Sequence, residues 1–229
     1  MGFYRRVYSP GELKFITTST YRRTPLFLSD RFRHYFVQRL REVRQELHFL
    51  LIGWVPMPEQ LHVLIKPEPV ETTPPIMNGL KKESAKRILR TLRENLQYPW
   101  CRNTSARLRL PSTVHDESHY RLWQLRFYPF NVFSDSKLKQ KLDHTHNNPV
   151  TRGLVSSPGD WPWSSWRFYC LEDESILRMD RMGRVQSLGS PCGRSQTSKS
   201  RSLRQPANPL AIFARAVCPN LWHTRLVKD

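Results

Sequence analysis

Two short apolar runs, Phe49 to Val55 and Leu61 to Ile65, stand on either side of the turn Met57-Pro58-Glu59-Gln60. Runs of this length, bounded by proline and polar residues, read as two strands joined in a tight antiparallel pair. Side chains alternate between the faces of a strand, so Gln60 and His62, two residues apart, share one face. A hairpin of this kind presents two polar side chains side by side, as a sheet does when it supplies ligands to a metal ion. The remaining elements have to be arranged around this hairpin.

Leu13 to Thr18 is a β-rich run and reads as the first strand. Ser29-Asp30 offers a helix cap, and Phe32, Tyr35, Phe36, Leu40, Val43 and Leu47 follow at helical spacing. A second helix opens at Thr72-Thr73-Pro74, because proline is tolerated in a first turn. Its apolar positions are Ile76, Leu80, Ala85, Ile88, Leu89 and Leu92. Tyr98 to Ser118 reads as a polar, basic connection, and Leu122 to Phe133 as aromatic and extended. Ser134-Asp135 caps a third helix carrying Leu138 and Leu142, which Pro149 is expected to end. The order strand, helix, strand, strand, helix, strand, helix predicts a ferredoxin-like α+β fold, an antiparallel sheet with helices packed on one face. Residues 1–183 form the expected domain. Residues 184–229 are rich in Ser, Arg, Pro and Gln without sustained periodicity, and composition predicts a disordered basic tail.

Charge narrows the partners. The 229 residues carry 37 Lys and Arg against 19 Asp and Glu, a formal net charge of +18. Such an excess attracts a polyanion, most often nucleic acid. Seven Trp and eight Tyr add flat faces on which bases can stack. No long apolar run or clean amphipathic basic helix points to a membrane. The N-terminal stretch lacks an apolar signal core, so a cytoplasmic location is expected. Four scattered cysteines without a C-x-x-C pair do not have the spacing of a zinc site.

His144 and Asn148 lie four residues apart and so share a helix face. If that helix crosses the sheet near His62, then Gln60, His62, His144 and Asn148 converge. Imidazoles with an amide oxygen suit a divalent ion that polarises a phosphate. Spacing alone leaves the plainer alternative open, in which His144 and His146 face solvent and His62 is a strand histidine with a satisfied hydrogen bond.

Five segments in register resemble the REP-associated tyrosine transposases, a branch of the single-tyrosine HUH (IS200-like) transposases that act on single-stranded DNA. They are Tyr4-Arg5-Arg6, Trp54 to Ile65, Leu122 to Tyr128, Asp143 to Val150 followed by Arg152-Gly153-Leu154-Val155, and Trp161 to Ser165. The resemblance spans roughly Tyr4 to Asp180. It implies a magnesium or manganese ion held by two histidines and an asparagine. It also implies a tyrosine hydroxyl that attacks the scissile phosphate, giving a 5′-phosphotyrosyl link and a free 3′-hydroxyl. His62 and Asn148 stand at matching ligand positions, but Gln60 replaces the first metal histidine and His144 replaces the nucleophilic tyrosine. Glutamine still offers an oxygen to a hard ion, so metal binding is expected to be weakened. Imidazole does not supply the phenolic oxygen, and Tyr128 is the nearest substitute nucleophile in sequence.

The same resemblance makes Tyr4, Arg5, Arg6, Arg22, Arg23, Lys81, Lys82, Lys86 and Arg126 the expected DNA contacts, on single-stranded DNA with a hairpin. Trp123, Trp161 and Trp163 are expected to close the core. Three readings follow: a strand transferase of the transposase type with impaired catalysis, a nuclease-dead DNA-binding protein, and, last, an RNA-binding module. Either a monomer or a homodimer fits the sequence.

Overall fold

The computed structural model describes residues 11–68, 73–111 and 120–182. Tyr4, Arg5, Arg6 and the tail from 184 lie outside the described residues. A four-stranded antiparallel sheet runs in the order β2-β3-β1-β4, built from β1 (Lys14–Ser19), β2 (Leu50–Met57), β3 (Gln60–Lys66) and β4 (Tyr128–Asn131). The predicted hairpin is β2–β3, with Met57 opposite Gln60 and Val55 opposite His62. β1 lies between β3 and β4 and pairs antiparallel with both. The antiparallel α+β sheet agrees with the sequence expectation.

The helices are divided between the two faces. α1 (Asp30–Leu47) and α2 (Thr73–Glu94) pack on each other and bury Phe32, Phe36, Leu40, Ile76, Leu80 and Ile88 in the larger core. From the sheet this core takes Ile16, Leu61, Val63 and Ile65. α4 (Asp135–Thr151) does not join them. Its Leu138 and Leu142 form a second cluster with Leu13, Phe15, Ile52 and Leu64, the residues that alternate with those of the larger core. The expectation of helices on one face therefore holds for α1 and α2, while α4 covers the other. The reason is in the strands: apolar side chains at nearly every position of β2 and β3 leave two faces to bury.

Gly53 makes close seating of α4 possible. A Cβ there would stand 3.0 Å from Leu142 Cδ2 and 3.5 Å from Ser165 Oγ. The branched side chain of Gly53→Val has to displace α4 or distort β2, so it is expected to cost about 1–3 kcal/mol. Urea unfolding would register this as a lower midpoint at unchanged slope. An unchanged midpoint would mean that α4 sits less tightly than described.

Two boundaries differ from expectation. The stretch read as a polar connection contains α3 (Pro99–Leu108), with Pro99 in its first turn and Cys101 and Leu108 fully buried. Pro149 does not end α4, which continues to Thr151. The chain leaves the helix where Arg152 N donates to Asn148 O, 3.0 Å away, and Gly153 takes a positive φ of 65° that suits glycine. α5 (Trp166–Leu171) closes the described fold. Trp123, Trp161 and Trp163 are buried in the larger core, as expected. Among the described residues no helix is long and apolar enough to cross a membrane.

Candidate functional site

His62 projects from β3 towards α4 and is 4% exposed. Its Nε2 lies 2.9 Å from Asn148 Nδ2 and 3.2 Å from Gln60 Nε2. The strand alternation brings Gln60 to it, and α4 brings Asn148 across from the far side. His144, one turn earlier on α4, places its Nε2 3.3 Å from Asn148 Nδ2, with its ring edge-on to His62 at 5.2 Å between centroids. The four side chains singled out in the sequence therefore converge. His146 does not: it turns inward, fully buried, and its Nε2 sits 2.9 Å from Ser165 Oγ, which also accepts from Trp54 N at 3.1 Å. His146 is thus a tie between α4 and β2, not a solvent-facing residue.

The remaining nitrogen of His62 sets its chemistry. Thr17 stands opposite His62 in the β1–β3 register, and its Oγ1 is 2.9 Å from Nδ1. Two amide N–H donors face Nε2, so Nε2 carries the lone pair and Nδ1–H donates to Thr17 Oγ1. Burial first, then the charges of His144, Lys141 and Arg152, push the His62 imidazole down to about 3. It stays neutral, with its lone pair directed into the cluster. His144 is also lowered, by burial and then by Lys141.

The surroundings are electropositive. Lys141 Nζ lies 4.8 Å from the centre of the Phe15 ring, and Phe15 stacks on His62 at 5.3 Å. Arg152, just past α4, pairs with Glu59 in the β2–β3 turn, and Arg23 approaches the same carboxylate at 3.8 Å. Glu59 thus partly neutralises two guanidinium groups beside Gln60. Among the described residues Lys141 has no carboxylate so close.

These side chains fit a divalent ion in number and spacing. Ligands about 2.1 Å from one ion stand about 3 Å apart at right angles. The separations of 2.9 and 3.2 Å around Nε2 match that edge, and each carboxamide presents its oxygen after a half-turn of its last torsion. The set is one imidazole nitrogen and two neutral oxygens, with no carboxylate. Among the described residues no group of three or more His, Cys, Asp or Glu could hold a metal ion. Neutral ligands beside two cationic side chains make a weak site for a cation.

The other expected residues are dispersed. Arg22 and Arg23 form a short turn after β1, and Arg22 Nη1 reaches Arg107 O at 3.5 Å. Lys81, Lys82 and Lys86 lie on α2, in the layer opposite α4. Lys81 is held by Gln124 O and Leu125 O, and burial lowers its ammonium to about 8. Lys86 pairs with Glu83 at 3.0 Å, while Lys82 and Arg126 are exposed. Tyr128 shares the cross-strand row of His62 and Thr17, and is 70% exposed. Thr17, Phe15, Lys141 and Arg152 were not singled out as site residues from the sequence. Alternation along Phe15-Ile16-Thr17 was the available signal for the first two.

Residues 8–106 match a family model described as "Transposase IS200 like". The chain is 25% identical over 170 residues to a Haemophilus influenzae protein named for the REP-associated tyrosine transposases, covering 72% of this chain and 86% of that protein. It is 22% identical over 170 residues to the REP-associated tyrosine transposase of Escherichia coli, covering 72% of this chain and 83% of that protein. Its fold is similar to a solved REP-associated tyrosine transposase bound to a REP hairpin, with a TM-score of 0.56 and 19% identity, over 86% of this chain and all of that one.

Proposed function

We propose that this protein is a member of the IS200-like transposases, that it binds single-stranded DNA bearing a hairpin, and that its own strand-cleaving chemistry is impaired. The proposal places it in the cytoplasm, with residues 1–183 as the DNA-binding unit and 184–229 as a basic extension. The observation that carries the reading is the meeting of His62 and Asn148 at 2.9 Å beside Gln60 and His144. A strand-borne imidazole and a helix-borne carboxamide form a cluster flanked by Lys141 and Arg152, which attract an anion. Magnesium or manganese, when bound by His62, Asn148 and Gln60, would polarise a phosphoryl oxygen. What the chain supplies unaided is a neutral lone pair, two rotatable amides and nearby positive charge. It does not supply a phenolic oxygen at position 144.

The impairment is a matter of reach and ligand strength. Imidazole at His144 is shorter than a phenol, and its nitrogen points at Asn148. Tyr128 keeps a hydroxyl on the same sheet face, two strands from His62. The nuclease-dead reading differs only in residual activity, and no separate observation favours an RNA-binding module.

Binding of a labelled hairpin by the full chain is expected, with affinity falling steeply as salt rises, because each neutralised phosphate releases counterions. In magnesium or manganese the wild-type chain is expected to leave the strand intact. Equal affinity for duplex RNA, or no retention of the hairpin at low salt, would count against the proposal. A covalent protein–DNA band from the unaltered chain would contradict its catalytic half.

A further inference from the structure

The sheet ends at β4, and there the chain exposes aromatic rings beside the site. Tyr128 is 70% exposed, Phe130 37% and Phe133 76%. Tyr128 lies opposite Thr17 and Phe130 opposite Phe15, so both share the His62 face of the sheet. Phe130 and Phe133 stand 6.4 Å apart. Lys141 reaches from α4 over Phe130 at 4.4 Å and over Phe15 at 4.8 Å. Ring and cation contacts therefore run without a break from His62 through Phe15 and Lys141 to Phe130 and Phe133.

Exposed rings in a row are costly in water and mark a surface that meets something. Two occupants compete, unpaired bases and a second copy of the chain. Charge separates them: copies of a chain with a formal charge of +18 repel each other, while a DNA strand neutralises that charge. The backbone agrees. Pro129 sits in the middle of this four-residue edge strand and has no N–H, so it weakens the edge as a template for another strand. A stacking surface needs no backbone donor.

We propose that Tyr128, Phe130 and Phe133, with Lys141 over Phe130, form a ledge on which unpaired bases next to the phosphate at His62 and Asn148 stack, Lys141 meeting a backbone phosphate between them. This rests on the DNA-binding reading above and adds which part of the strand is held and by what. Stacking is tolerant of sequence, since every base has a flat face. The ledge therefore selects single-stranded over paired DNA without choosing a sequence.

The test uses the full chain and three labelled oligonucleotides: one hairpin alone, and the same hairpin with a four-nucleotide single-stranded extension at its 5′ or its 3′ end. One of the extensions is expected to tighten binding by the wild-type chain. Phe133→Ala, and separately Phe130→Leu, should each remove roughly tenfold of that gain, the scale of one stacked base. Binding of the hairpin alone should not change, which also reports that the variants are folded. With 2-aminopurine in the productive extension, emission should be quenched on binding wild type and recover in Phe133→Ala.

An extension that adds nothing, or a gain that survives both substitutions, would overturn the ledge while leaving hairpin binding intact. Sedimentation showing a wild-type dimer that Phe133→Ala dissociates would assign the rings to a second copy instead. If no oligonucleotide is retained at low salt, the DNA-binding reading fails and the ledge with it.

Discussion

Gln60→His and His144→Tyr made together should convert a chain that leaves its hairpin intact into one that forms a covalent protein–DNA link in manganese. The change repairs two different deficits. Gln60→His replaces a neutral carboxamide with an imidazole beside His62 Nε2, from which Gln60 Nε2 now stands 3.2 Å away. Borderline ions such as manganese gain from a second nitrogen ligand. His144→Tyr supplies the hydroxyl. Position 144 already faces the cluster, and a phenol extends beyond the imidazole in the same direction. In the restored step the phenolic oxygen bonds to phosphorus, the bond from phosphorus to the 3′ oxygen breaks, and that oxygen leaves as a hydroxyl.

Removing a nucleophile outright costs several orders of magnitude in other covalent catalysts. The double variant is therefore expected to exceed wild type on the order of a thousandfold or more, about 4 kcal/mol of barrier. Gln60→His alone should give no covalent band, and His144→Tyr alone a faint one. A double variant that folds and binds the hairpin but forms no link would show that the cluster is not where the strand is cut. Adding Tyr128→Phe to the double variant shows whether that hydroxyl contributes: loss of the link there would move the nucleophile to β4.

Acid should unfold this protein early and steeply. Burial lowers both His62 and His146 to about 3 in the folded chain, against 6.5 as the ordinary value. The unfolded chain takes up both protons as pH falls through about 6.5, and the folded chain takes up neither until about 3. The stability is therefore fully present above 6.5 and is lost as pH falls between these values. The slope reaches about 1.4 kcal/mol per pH unit for each histidine, so about 2.7 for the pair. Two pH units would consume about 5 kcal/mol, comparable to the whole stability of many domains. His146→Asn keeps a polar partner for Ser165 and removes one titrating group, so it should roughly halve the slope while lowering stability at neutral pH. Urea midpoints from pH 7 to 4 measure both. An unchanged slope in that variant would mean that His146 is not held neutral in the folded chain.

The sequence carried the hairpin and the two halves of the cluster, because each follows from a local period. Alternation put Gln60 beside His62, and helical spacing put His144 beside Asn148. The face taken by α4 was harder to read. The signal was present in LLIGWV and LHVLI, where apolar residues do not alternate with polar ones, as in sheets buried on both sides. α3 was hidden because Thr104 and Ser105 are buried along with Cys101 and Leu108, so its inner face does not look apolar. Pro149 was expected to stop α4, yet its lost N–H disturbs only one turn while Asn148 stays anchored on His62. Thr17, Lys141 and Arg152 reach the site through register and tertiary approach, which local spacing does not encode. The lysines of α2 were expected DNA contacts through the resemblance, and the sheet separates them from the His62 cluster.

Manganese binding to the full chain, followed by the relaxation of water protons with the hairpin present, tests the site most directly. Wild type is expected to bind weakly, Gln60→His to bind about tenfold more tightly or better, and His62→Ala to lose the ion. Manganese held as well by His62→Ala as by wild type, or indifferent to Gln60→His, would contradict the assignment of this cluster as the metal and phosphate site.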